Sequence, residues 1–93
     1  MIPPEGKLAL ASKARLRFDQ TSGGYLLLYP ERGLALNATA ANILKLCDGE
    51  LTVDGIVEKL RREYLDRSGE ELRHDVLEFL EEMARRGLLQ VPG

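Results

Sequence analysis

Hydrophobic and polar residues first alternate with the period of a strand. Residues 14–19, ARLRFD, place leucine and phenylalanine on one face and arginine on the other. Glycines at 23 and 24 can adopt positive φ, so QTSGG supplies a turn. Residues 25–29, YLLLY, are apolar on both faces. These stretches predict a hairpin whose second strand is largely buried.

A third, very short strand follows. Pro30 cannot donate a hydrogen bond to a strand ladder, so the second strand should end there. PERG, residues 30–33, then reverses the chain, and Leu34–Leu36 form the third strand. Gly33 is expected to serve a close backbone approach or a positive φ.

From residue 37 onwards the apolar period lengthens to that of helices. Asn37 or Thr39 is expected to cap the first helix and Thr52 the second, and Gly87 should stop the third. The three apolar stripes are Ala40, Ile43, Leu44 and Cys47; Val53, Ile56, Val57, Leu60 and Tyr64; and Leu72, Val76, Phe79, Leu80 and Met83. The predicted fold is α+β and winged helix-turn-helix-like, a three-stranded antiparallel sheet followed by a three-helix bundle.

The first 13 residues show no sustained period and contain two prolines and a glycine. We expect residues 1–13 to be a flexible N-terminal arm, from which Leu8 and Leu10 can still dock. Residues 14–93 then form one domain, because 93 residues support a single thin core. Residues 88–91 are expected to pack back on that core.

Composition narrows the choice of partners. A net charge of −2 gives no overall field that would gather nucleic acid or an anionic membrane. No apolar run approaches the length of a spanning helix, and no basic-then-apolar leader opens the sequence. With one cysteine, these features predict a cytoplasmic protein.

The residues that usually carry catalysis are scarce. His74 is the one histidine and lies off the apolar stripe of its helix, as expected of a solvated surface side chain. Cys47 falls on an apolar stripe, which favours a small buried hydrophobe over a nucleophile. No phosphate-binding, dinucleotide-binding or zinc motif occurs. We therefore predict a protein that is not an enzyme and needs no metal or cofactor.

A helix-turn-helix arrangement also raises the alternative of a DNA-binding winged helix. A recognition helix presents Arg, Lys, Asn or Gln to a groove. Here residues 70–82 carry six acidic side chains against one arginine and one histidine. Phosphates would be repelled along most of that helix, so the charge argues against DNA while leaving it as an alternative.

The third strand raises a further question, because one of its edges has no predicted partner. Leu34–Leu36 carries no charge or proline to guard that edge. An unguarded edge can receive an added peptide strand. Equally, the N-terminal arm or the C-terminal LLQV can cover it, and the sequence leaves these alternatives open.

Two segments carry a resemblance to a known family. LLLYPERGLALNATAANILKLCDGELTVDGIVEKL, residues 26–60, resembles the PqqD family of pyrroloquinoline quinone (PQQ) biosynthesis proteins, and DVLEFLEEMARRGLL, residues 75–89, is similar to its last helix. The resemblance spans about residues 15–89. Gly55 departs from it, since the family more often has a helix-favouring residue after TVD.

The resemblance implies a peptide chaperone that binds the precursor peptide PqqA. It presents that peptide to the radical S-adenosylmethionine enzyme PqqE, as a precursor-recognition element for a ribosomally synthesised peptide. The peptide adds as a strand to the third strand and lies against the third helix. The implied peptide-binding residues are Gly33, Leu34, Ala35, Leu36, Leu72, Val76, Phe79, Leu80 and Met83, some of which must instead serve the core.

The identity of the enzyme, the surface that meets it and the oligomeric state stay open at this point. The chain can be a recognition module for a different peptide-modifying enzyme. Charged residues able to meet the enzyme are Arg32, Lys45, Asp48, Arg61, Arg62, Arg85 and Arg86. We expect a monomer in dilute solution, with a strand-swapped or edge-paired dimer as the alternative at high concentration.

Overall fold

The computed structural model describes residues 2–30 and 32–91, which contain five strands and three helices. In chain order these are β1 (Ala9–Leu10), β2 (Arg15–Asp19), β3 (Gly24–Tyr29), β4 (Arg32–Leu36), α1 (Ala38–Lys45), α2 (Val53–Arg61), α3 (Gly69–Arg85) and β5 (Leu89–Gln90).

The larger sheet has the order β2-β3-β4, with both pairs antiparallel. Strand β4 is the third strand predicted from the sequence, begun two residues earlier. The predicted three-stranded antiparallel sheet followed by three helices is therefore confirmed. The description as winged-helix-like stays a prediction. Glu31, in the predicted turn between β3 and β4, lies outside the described residues.

One face of this sheet packs against α1. Leu27, at the centre of β3, is fully buried and lies opposite Leu16 on β2 and Leu34 on β4. Residues directly opposite each other share a face, so these three leucines point into the core together. Helices α2 and α3 pack on each other and complete that core.

Each helix begins at a side-chain cap. The Oδ1 atom of Asn37 accepts from the backbone N–H of Ala40 at 2.7 Å, which settles the choice between Asn37 and Thr39. Thr52 caps α2 as predicted. Ser68 caps α3, because its Oγ atom accepts from the Glu71 N–H at 3.1 Å, and its hydroxyl also donates to the Glu71 carboxylate at 3.2 Å.

The two ends of the chain form a second, two-stranded sheet that the sequence analysis did not predict. Strand β1 pairs antiparallel with β5, with Ala9 opposite Gln90 and Leu10 opposite Leu89. Leu8 is fully buried, and its backbone bonds to Leu51 and Gly49. Residues 8–11 thus pack against the rest of the chain, which agrees with the docking of Leu8 and Leu10 that the sequence allowed. The division of the chain at residue 13 stays a prediction.

This pairing decides what covers the edge of β4. Both proposed covers, the N-terminal arm and the C-terminal segment, are engaged with each other. Within residues 2–30 and 32–91, β4 has β3 on one side and no strand on the other.

Candidate functional site

The uncovered edge of β4 is the candidate site. Along the strand, Gly33 and Ala35 are exposed, and Leu34 and Leu36 are half-buried against the core. Successive side chains point to opposite faces, so the strand offers a small outer face and an apolar inner face. Its backbone N–H and C=O groups that point away from β3 have no strand partner among the described residues.

A neighbouring side chain limits the space at Gly33, and the backbone φ of Gly33 is not positive. Positive φ occurs at Gly23, Gly49 and Gly87 among the described residues, and Gly33 is not among them. A Cβ atom at Gly33 would lie 3.0 Å from the Cδ2 atom of Leu28. Of the two reasons expected for Gly33, the positive φ is not met, and the close approach that the structure shows is to a side chain of the neighbouring strand.

The five predicted residues of α3 divide into two groups. Phe79 is half-buried and remains accessible. The other four are core residues with at most 3 % of their surface exposed, namely Leu72, Val76, Leu80 and Met83. The sequence could not make this division, because all five share one apolar stripe.

Phe79 lies in a surface recess of α3 whose other lining residues are charged. They are Asp75, Glu78, Glu82 and Arg85. Leu77 is also half-buried on this helix, and the sequence analysis did not single it out. Strand β4 packs against β3 and α1, and α3 packs against α2 and β5. The two predicted parts of the site therefore pack on different elements.

The charges of the α3 recess are largely paired. Glu82 accepts hydrogen bonds from Arg85 and Arg86, and these bonds hold the pKa of the Glu82 carboxyl below its ordinary value. Arg67 donates to Asp75 across the start of the helix, which raises the pKa of the Arg67 guanidinium. This surface of α3 therefore stays acidic, and its arginines are paired with carboxylates.

A second recess, of about 300 Å³, opens where β4 ends. Leu36, Asn37, Ala41 and Lys45 line it together with Tyr25 on β3. The Nζ atom of Lys45 lies 4.2 Å from the centre of the Tyr25 ring, a cation–π contact. This recess therefore combines apolar, aromatic and cationic surface beside the candidate edge.

The residues considered for catalysis are placed as the sequence predicted. The His74 side chain is 74 % exposed, and Cys47 is buried in the core cluster. Among residues 2–30 and 32–91, no three His, Cys, Asp or Glu side chains are grouped to hold a metal ion. In the same ranges, no helix has the length and apolarity needed to cross a membrane.

The geometry leaves one edge of β4 without a strand partner among the described residues, and comparison with known proteins identifies the family. A family model described as coenzyme PQQ synthesis protein D (PqqD) matches residues 24–89, from β3 to β5. This chain belongs to the PqqD family. The resemblance found in the sequence is thereby confirmed.

Curated members of the PqqD family are similar over nearly the whole chain. The PqqA binding protein of Methylococcus capsulatus is 40 % identical over 89 residues, covering 96 % of this chain and 92 % of the relative. The PqqA binding protein of Rhodopseudomonas palustris (strain BisB5) is 42 % identical over 82 residues, covering 87 % and 78 %.

Solved PqqD structures agree with the fold. The solution structure of the PqqD truncation of Methylobacterium extorquens PqqCD superposes with a TM-score of 0.80 at 32 % identity, covering 97 % of this chain and 95 % of that one. That protein is described as a functional, stand-alone recognition element for ribosomally synthesised and post-translationally modified peptides. The crystal structure of PqqD from Xanthomonas campestris superposes with a TM-score of 0.59 at 28 % identity, covering 97 % and 99 %.

Proposed function

We propose that this protein is a peptide chaperone of PQQ biosynthesis that binds the precursor peptide PqqA by strand addition to β4. It then presents the bound peptide to the radical S-adenosylmethionine enzyme PqqE. Two relatives similar over most of the chain are PqqA binding proteins, and a solved relative is a peptide recognition element. Membership of the family supports the same role here.

The observation that carries the proposal is the open edge of β4. Its two potential covers pair with each other as β1 and β5, which leaves the edge free within the described residues. An added strand satisfies the unpaired backbone groups, and each hydrogen bond gained contributes about 0.5–1.5 kcal/mol. Hydrogen bonds between backbones depend little on the peptide's side chains. Specificity must therefore come from the side chains on the two faces of β4.

The two faces of β4 suggest how a peptide is read. On the inner face, the half-buried Leu34 and Leu36 offer apolar contact to every second peptide side chain. On the outer face, Gly33 and Ala35 leave room for large side chains. We therefore expect a peptide segment with apolar residues at alternate positions to bind best.

In this proposal fewer residues of α3 contact the peptide than its apolar stripe indicates. Phe79 is the predicted α3 residue with surface left to meet a peptide, and the recess around it is acidic. The four buried residues act by holding the helix in place. We propose that Phe79, with the half-buried Leu77, supplies the contact with α3.

The test is a calorimetric titration with a synthetic PqqA peptide and a scrambled control of the same composition. We expect saturable one-to-one binding of the native peptide alone, with the largest amide NMR shifts at residues 33–36 and near Phe79. Shifts concentrated on β2, the opposite edge strand of the sheet, would refute strand addition at β4. Absence of binding at high micromolar concentration would refute PqqA as the ligand.

A further inference from the structure

A concave basic surface lies between α1 and α2, and none of its lining residues belongs to α3. Lys45 contributes to it from α1, and Lys59 and Arg62 contribute from the end of α2. The groove has a volume of about 380 Å³. Its remaining lining residues are Asn42, Leu46, Leu60 and Glu63. We call this surface the basic groove.

The cations of the basic groove differ from those on the neighbouring helices in having no ion-pair partner. Among the described residues, no carboxylate oxygen lies within 4.0 Å of Lys45, Lys59 or Arg62, including that of Glu63 in the same groove. On α2, on α3 and in the residues that flank α3, carboxylates pair with Arg61, Arg67, Arg73, Arg85 and Arg86. An unneutralised positive patch on a chain of net charge −2 is a local field suited to an acidic partner.

The groove is also held in shape by contacts of its own. The Nδ2 atom of Asn42 donates to the Tyr64 hydroxyl at 2.9 Å, which joins α1 to the segment after α2. Lys45 is positioned over the Tyr25 ring. Leu60 is buried beneath the charges and Leu46 is half-buried. The cations therefore surround a partly apolar floor, as protein–protein interfaces commonly do.

We propose that the basic groove docks an acidic surface of the enzyme to which the precursor is presented. This inference rests on the proposed function and adds the docking site to it. The position of the groove fits the role, because Asn42 and Lys45 also line the recess at Leu36, where β4 ends. An enzyme seated there lies beside the end of a peptide bound at Gly33–Leu36 and leaves the paired segment uncovered.

Charge favours a protein partner over nucleic acid. Duplex DNA is bound through a series of cations that neutralise successive phosphates, and affinity grows with their number. The groove offers three cations, and the chain has an excess of acidic residues. The ion pairs described above also reduce the number of charged residues, taken from the sequence, that are free to meet the enzyme. Lys45 and Arg62 remain, Lys59 is added, and Arg61, Arg85 and Arg86 are engaged with carboxylates.

The experiment compares two double variants with the same net charge. Lys59→Glu/Arg62→Glu reverses two groove cations, and Lys7→Glu/Lys13→Glu reverses two exposed cations near the N-terminus. Each reversal changes the charge by −2, so both variants go from −2 to −6. Binding of purified PqqE is measured by fluorescence anisotropy at low and high salt, and PqqA binding is measured by calorimetry on the same samples.

We expect the groove variant to bind PqqE about tenfold more weakly at low salt, with a much smaller change in the control. Raising the salt should weaken wild-type binding toward that of the groove variant. PqqA affinity should be unchanged in both. If the groove variant does not fold, Lys59→Gln/Arg62→Gln and Lys7→Gln/Lys13→Gln replace the two pairs.

Three outcomes of the PqqE titrations would overturn the inference. They are equal loss of PqqE binding in both variants, no loss in the groove variant, and no binding of PqqE by wild-type protein that still binds PqqA. Groove-dependent binding of a 20-base-pair duplex would reassign the surface to nucleic acid and also overturn it. Failure of wild-type protein to bind PqqA is a separate result, and it refutes the proposed function itself.

Discussion

At the scale of single residues, Cys47 shows how burial changes chemistry. Its Sγ atom donates to the Ile43 carbonyl at 3.4 Å within the core. Burial, and secondarily the charge of Asp48, raises the pKa of the Cys47 thiol from 9.0 to about 12. The thiol is thus kept protonated and unreactive, as its position on an apolar stripe predicted.

The raised pKa of Cys47 predicts a pH dependence of stability. The folded state holds the thiol proton to higher pH than the unfolded state, so this contribution is complete below pH 9. It is lost progressively as pH rises from 9 toward 12. The free energy of unfolding of wild type minus that of Cys47→Ala should therefore decrease above pH 9 in urea titrations. A difference independent of pH would contradict the raised pKa.

At the scale of elements, the sequence predicted most of the larger sheet and the helices. Alternation in β2 and the turn glycines identified the hairpin, and apolar stripes identified the helices. The two-residue strands β1 and β5 were missed, because two residues show no period and their partners are distant in sequence. The Ser68 cap was missed although serine followed by glutamate three residues later was readable in the sequence.

Strand β4 predicts a contrast between two adjacent proline substitutions. Successive N–H groups on an edge strand alternate between the neighbouring strand and the free edge. Of Leu34→Pro and Ala35→Pro, one should therefore lose a bond to β3 and destabilise the fold. The other should keep the fold and weaken PqqA binding at least tenfold. Thermal unfolding and calorimetry on both variants check this.

A result in which both proline variants fold and bind PqqA normally would exclude peptide pairing along this edge. A proline variant in β2, Arg17→Pro, serves as the control on the opposite edge strand. Folded Arg17→Pro protein should bind PqqA with the same affinity as wild type.

Helix α2 predicts a stabilising substitution at Gly55. The Thr52 cap is formed, with its Oγ1 atom accepting from the Gly55 N–H at 3.2 Å, but glycine lowers helix propensity. A Cβ atom at this position would lie 3.1 Å from the Cδ2 atom of Leu51, a half-buried side chain able to rotate. Gly55→Ala should raise the free energy of unfolding by about 0.5–1 kcal/mol.

Urea unfolding measures the Gly55 effect, with Thr52→Ala as the comparison that removes the cap and should cost about 1 kcal/mol. A loss of stability in Gly55→Ala would mean that Leu51 cannot move aside.

At the scale of the whole molecule, residues 9 and 10 pair with the last described strand, with Leu10 opposite Leu89. Leu8 is fully buried, so Leu8→Ala should lower the free energy of unfolding by about 2–5 kcal/mol. Lys7→Ala, an exposed neighbour, should change it by less than about 0.5 kcal/mol. Equal, small effects of both substitutions would support the flexible arm expected from the sequence.

The sequence pointed to the β4 part of the candidate site more clearly than to the α3 part, and the reason is physical. The absence of guarding residues in Leu34–Leu36 made the edge of β4 a candidate, while the sequence left open whether an end of the chain covers it. The role of each α3 residue could not be predicted, because one apolar stripe serves both the core and the surface. Lys59 was not a docking candidate from the sequence, because the absence of an ion-pair partner is a property of the folded surface.

The pairing of β1 with β5 brings the described ends of the chain side by side, with Ala9 opposite Gln90. A second protein fused before residue 2 or after residue 91 would therefore be tethered at the same place. A linker of given length would produce nearly the same effective concentration from either end. The order in which this chain and a second protein are joined in one polypeptide should then matter little to the local concentration of that protein.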